Sequence, residues 1–214
     1  MSGVIPKVVN WSFTGWWEMS ELNKMCHESW KNILVPDGYE IIYVDPRGIP
    51  TTPWYEESLR LKTHNAIGYT KAKTLYDHGG VWLENDVEAL RPFDLNQKCF
   101  IAFQRDDEYA SCINFSVIGC VPGHWLVKEY MDRIQAICPN GEPLAFGPAL
   151  MTEILVAHGL GKINEEQTVE DVMVYSKDRF YPWRWDEKPD WSRVTDRTFA
   201  IHHWEASWLK HKSA

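Results

Sequence analysis

The residues best placed to do chemistry lie in GGVWLENDVEALRPFD, positions 79 to 94, where a glycine pair leads into a short apolar run that ends on acidic side chains. Val81, Trp82 and Leu83 read as a buried strand. Glu84, Asn85 and Asp86 follow where such a strand leaves its sheet, the place where open α/β sheets bind ligands. Alternation along a strand puts Glu84 and Asp86 on one side. Two hard carboxylates on one face suit Mg²⁺ or Mn²⁺, which keep open positions for substrate phosphates. Taken alone, E-x-D ahead of Arg91-Pro92 also describes a solvated acidic turn. A second polar cluster, HHWEASW from His202 to Trp208, reads by spacing as a terminal aromatic cluster with a capped turn.

The elements that must position these residues alternate between strand and helix. IPKVVN at 5 to 10 reads as a first strand, followed by an aromatic loop over 11 to 17. Ser20 caps a helix whose apolar face carries Leu22, Met25, Cys26, Trp30 and Ile33, and Pro36-Asp37-Gly38 breaks it. Strands are expected at 39–45, 98–103, 112–119 and 172–175, and a last one at 198–202. Helices are expected at 54–62, 65–78, from Pro122-Gly123 to about Cys138, and at 147–158. The pattern predicts an α/β fold with a mainly parallel central sheet flanked by helices. Residues 181–193, YPWRWDEKPDWSR, read as a surface loop or flap.

With 214 residues the chain fits one domain, 1–214, large enough to bury a core without staples, and its HKSA end is compatible with a domain cut from a longer protein. A net charge of −8 and the lack of a long basic run argue against nucleic acid as partner. Five cysteines, Cys26, Cys99, Cys112, Cys120 and Cys138, are odd in number and lack C-x-x-C spacing, so reduced, mostly buried thiols are expected. No signal peptide pattern and no apolar run long enough to span a bilayer is present, and a cytoplasmic location is expected.

With these segments in view, the chain resembles the DXD-type nucleotide-sugar glycosyltransferases of the family 32 kind, which include capsular polysaccharide transferases, a yeast initiating mannosyltransferase and clostridial toxin catalytic domains. The resemblance runs from Ile5 to Lys210 and rests on ordered motifs: Ile5 to Asn10, Leu75 to Val87, Ile113-Asn114, Gly147-Pro148 and His202 to Trp208. It implies a GT-A-type, Rossmann-like domain that transfers a sugar from a nucleoside-diphosphate donor, UDP-linked by preference, to a glycan or other hydroxyl acceptor with retention. It also implies Mn²⁺ or Mg²⁺ bridging the donor phosphates. Asp86 takes the family's last motif aspartate and Glu84 stands for the first. His203, Glu205 and Ser207 fall where relatives add metal and phosphate contacts, with Trp208 covering the diphosphate. Asn10 replaces a histidine frequent in relatives, and Trp11 or Phe13 occupies the place of the base-stacking ring, although a core aromatic explains either equally well. Asn114 is placed near the sugar, or is a buried amide bonded to backbone.

The helix before the glycine pair departs from the family. Relatives carry S-D-x-x-R against the donor sugar, whereas this chain has Ile67, Gly68 and Lys71. Lysine cannot reproduce the forked hydrogen bonds of arginine, so donor identity does not carry over, and Lys71 alternatively belongs to a solvated helix face. Asp106, Asp107 and Glu108 form an acidic loop that either meets the acceptor or is a solvated charge run. Two rivals use the same residues differently: a metal-dependent phosphohydrolase, and a non-catalytic sugar-binding module with a tryptophan platform.

Overall fold

The computed structural model describes residues 3–13, 18–49, 52–61, 64–107, 110, 112–137 and 147–205. In chain order the strands are β1 (Val8–Trp11), β2 (Glu40–Tyr43), β3 (Gly80–Leu83), β4 (Val87–Ala89), β5 (Cys99–Phe103), β6 (Ile113–Cys120), β7 (Gln167–Val169), β8 (Val172–Tyr175) and β9 (Ala200–His202). The helices are α1 (Glu21–Ser29), α2 (Pro53–Arg60), α3 (His64–His78), α4 (Trp125–Ile137) and α5 (Gly147–Ala157). Seven strands form one sheet in the order β2-β1-β3-β6-β5-β8-β7. β2, β1, β3, β5 and β8 run one way, while β6 and β7 run against them, so the sheet is mixed but mainly parallel in direction.

Alternation along β3 divides the core. Val81 and Leu83 face a cluster with Trp30, Phe100 and Tyr181, while Trp82 faces one with α3, α4 and α5 through Leu75, Tyr130 and Ile154. All four residues of β3 are buried, as expected of a central strand covered by helices on both sides. The glycine pair serves the helix-to-strand turn. Gly79 and Gly80 adopt φ of +68° and +96°, and a Cβ on Gly80 would lie 2.7 Å from the Val8 carbonyl. Ser20 caps α1 by accepting from the Asn23 amide at 3.1 Å, and the helix then widens into a π-type turn over Trp30–Leu34. Met25 is exposed and Asn23 is buried instead, because α1 turns a polar side chain toward the tail of the chain.

Two expectations need correction. The strand at 198–202 does not complete the main sheet; β9 pairs antiparallel with β4, a strand absent from the sequence reading, to form a separate ribbon. The 181–193 segment is only partly a surface loop, since Tyr181 and Trp183 are buried while Trp185 and Trp191 are exposed. Cys26, Cys99, Cys112 and Cys120 are free and buried, and Cys138 lies outside the described residues. Among the described residues, no helix is long and apolar enough to cross a membrane.

Candidate active site

β1 and β3 lie side by side and parallel, so their C-terminal ends deliver Trp11-Ser12 and Glu84-Asn85-Asp86 to the same edge of the sheet. Asn85 ties the two exits together: its Nδ2 donates to the Ser12 carbonyl at 2.9 Å, and its Oδ1 meets the His27 Nε2 at 3.0 Å. β3 ends at Leu83, and the Val87 amide donates to the Glu84 carbonyl at 3.1 Å, which closes a turn over 84–87. Strand alternation therefore stops before the acidic residues, and Glu84 and Asp86 acquire different partners instead of sharing one face.

Asp86 is bound to the tail. Its Oδ1 lies 3.2 Å from His202 Nε2, its Oδ2 accepts the Glu205 amide at 2.9 Å, and its carbonyl accepts the His203 amide at 2.9 Å. Burial pushes the Asp86 carboxyl up, but the His202 imidazole, by charge and hydrogen bond, and the Glu205 amide outweigh it and bring the group down to about 2. Asp86 is therefore a carboxylate at any ordinary pH. Glu84 is instead paired with Lys71, whose ammonium also donates to the Phe115 carbonyl and lies 4.4 Å from the Phe115 ring centre. Lys71 is 4% exposed. Burial lowers its pKa, against the Glu84 charge, which raises it. It is neither on a solvated helix face nor open to ligand.

The fold has a counterpart among solved structures. The PaToxG glycosyltransferase superposes with a TM-score of 0.57 at 16% identity, over 72% of this chain and 70% of that one. The chain has a glycosyltransferase fold. A glycosyltransferase involved in the glycosylation of the major capsid of PBCV-1 matches over 96% of this chain and 97% of its own, with a TM-score of 0.49 and 12% identity. No family model and no curated protein matches the sequence.

Within this fold the remaining expected residues take varied places. Asn10 is buried and donates through Nδ2 to the Gly79 carbonyl at 3.1 Å, bracing the glycine turn. Trp11 is half-buried in an aromatic group with His27 and Tyr43, at ring separations of 4.4 and 4.9 Å; Phe13 is also half-buried. Asn114 is buried; its Nδ2 donates to Gln104 Oε1 at 2.6 Å, and its Oδ1 accepts the Ser116 amide and the Tyr181 hydroxyl. His203 Nε2 meets Glu88 at 2.9 Å, and a Glu205 oxygen accepts from Asn23. Ser207, Trp208 and Glu108 lie outside the described residues. In the acidic loop, Asp106 is paired with Lys177, and Asp107 with Arg105 and Arg184.

Asp86 is the ionised, hard carboxylate of the group, the kind of oxygen a divalent ion takes, and its two oxygens already meet the His202 Nε2 and the Glu205 amide. Glu84 is already neutralised by Lys71. Among the described residues no three His, Cys, Asp or Glu side chains converge, so an ion at Asp86 would complete its shell with substrate phosphate and water. His202, which the sequence reading does not single out, is the histidine that meets Asp86, while its neighbour His203 meets Glu88.

Proposed function

We propose that this protein is a metal-dependent, family 32-like glycosyltransferase that moves a sugar from a UDP-sugar to a hydroxyl of a glycan, with retention of configuration. The observation carrying this reading is Asp86, an ionised carboxylate at the end of β3, fastened to the tail segment that follows β9. The glycosyltransferase fold supports it, as does the meeting of the β1 and β3 exits at the crevice where such sheets bind nucleotides.

On this reading Asp86 holds Mn²⁺ or Mg²⁺, which when bound supplies Lewis-acid neutralisation of the leaving diphosphate. Asn85 and His27 fix the β1 exit, where Trp11 or Phe13 offers a ring to the base. Lys71 keeps Glu84 in place below the site, and Tyr181 and Gln104 hold the Asn114 amide. These contacts pre-organise the floor so that little rearrangement accompanies the reaction. The acceptor hydroxyl attacks from the leaving-group side, and a donor phosphate oxygen takes its proton, so no side-chain base is required.

Thermal unfolding with nucleotides tests this. UDP at about a hundred times its dissociation constant adds about 2.7 kcal/mol, or roughly 5–10 °C for a chain of this size. The rise is expected with Mn²⁺, absent without it, and absent in Asp86→Asn. Equal or larger stabilisation by GDP would overturn the uridine assignment, and a metal-independent rise would overturn the metal.

A further inference from the structure

Beside His202, the partner of Asp86, opens a shallow cleft of about 80 Å³ lined by Gln104, Arg105, Arg184, Trp185 and Trp204. It adjoins the site on two sides. Gln104 accepts from Asn114, and the Trp204 ring lies 4.2 Å from His202, the partner of Asp86. At about 80 Å³ the cleft lies well below the roughly 300–1,000 Å³ of sites that enclose a ligand, so it takes one face of a single ring and no more. Protein partners need broader surfaces, on the order of 1,200–2,000 Å² in total.

Trp185 is 67% exposed, yet the chain around it is firmly held. Tyr181 and Trp183 are buried, and the Trp183 carbonyl accepts from Trp204 Nε1 at 2.8 Å. Arg184 bonds Asp107 at 2.7 Å and forks onto Asp186 at 3.0 and 2.8 Å. A turn closes when the Arg184 amide donates to Glu187 Oε2 at 2.8 Å. The frame thus holds a large apolar ring in water, where its face is free to stack on a ligand. An indole face is electron-rich and suits the weakly positive C–H face of a pyranose. Around it, Arg105 with Asp107 and Arg184 with Asp186 set donors beside acceptors, matching hydroxyls that both give and accept hydrogen bonds. Asp107 and Asp186, which do not line the cleft themselves, offset the charge of its two arginines, which favours a neutral ligand over a phosphate.

The geometry points to this cleft as the acceptor subsite, taking an uncharged sugar ring stacked on Trp185 with its hydroxyls on the Arg–Asp pairs. The acceptor role rests on the glycosyltransferase reading above.

The test uses the whole chain and the methyl glycosides of glucose, galactose, mannose, fucose and rhamnose at millimolar concentration, followed by saturation-transfer NMR. At least one glycoside is expected to bind wild type, and Trp185→Ala to weaken it roughly tenfold. Trp191→Ala, which removes an exposed ring outside the cleft, is expected to leave binding unchanged. The UDP–Mn²⁺ stabilisation of Trp185→Ala should equal that of wild type. The inference fails if no glycoside binds, if Trp185→Ala binds as wild type does, or if Trp191→Ala loses as much. A self-association dispersed by Trp185→Ala without any glycoside signal would overturn it in favour of a protein contact. If glycoside binding depends on Trp185 but UDP never stabilises the protein, the acceptor role falls with the transferase reading.

Discussion

His202 and Asp86 face each other at 3.2 Å across the start of the β4–β9 ribbon, and neither is more than slightly exposed. The Asp86 carboxyl sits at about 2 in the folded protein, below its ordinary 3.8. A depressed carboxyl contributes stability above its unfolded value and loses it as pH falls through the folded value. The contribution, about 2 kcal/mol, is therefore full at neutral pH and disappears between pH of about 4 and about 2. Urea unfolding of wild type and Asp86→Asn should show the variant weaker by about this amount at pH 6 and nearly matched to wild type near pH 2. A constant gap across that range would show that the pair is not its source.

Lys71 and Glu84 form a pair whose cation is enclosed by Phe115 and Trp82. Lys71→Met leaves a half-buried carboxylate without its counter-charge, and a loss of about 2–4 kcal/mol is expected. Glu84→Gln added to Lys71→Met should restore at least half of it. Chemical denaturation of both singles and the double measures the coupling, and simple additivity would show the two side chains to be independent.

His203 gives its Nε2 to Glu88. His203→Ala is expected to cost about 1 kcal/mol or less and to leave the UDP–Mn²⁺ thermal shift at its wild-type size. Disappearance of that shift would return His203 to the metal site.

Gly119 lies opposite Phe100 across β5 and β6, and a Cβ there would come within 2.7 Å of the Phe100 Cζ. Both residues are deep in the sheet, so Gly119→Ala should destabilise by about 1–3 kcal/mol through overpacking. Adding Phe100→Leu should relieve part of that cost. Calorimetry showing an unchanged melting temperature for Gly119→Ala would mean that the ring has room to move.

Much of this was legible in the chain. β8 falls at 172–175 as read, and α3 and α5 fall within a residue or two of their expected ranges, because apolar period and breaker residues fix such elements locally. The three-residue strands β4 and β7 were not legible, since neither contains enough residues to show a period. The Lys71–Glu84 pair was hidden for another reason. It joins a helix to a strand exit 13 residues later, and only the packing of α3 on β3 reveals that the lysine turns inward.

The same division holds at the site. Composition and order placed a carboxylate turn after a buried strand and a His-His pair near the tail, because glycines, apolar runs and polar clusters are local properties. Which histidine meets Asp86 was settled by pairing: Val87 lies opposite His202, neighbouring strand residues point to opposite faces, and a shift of one residue would have presented His203 instead. The turn over 84–87 then separated the partners of two carboxylates that strand alternation alone would have put together.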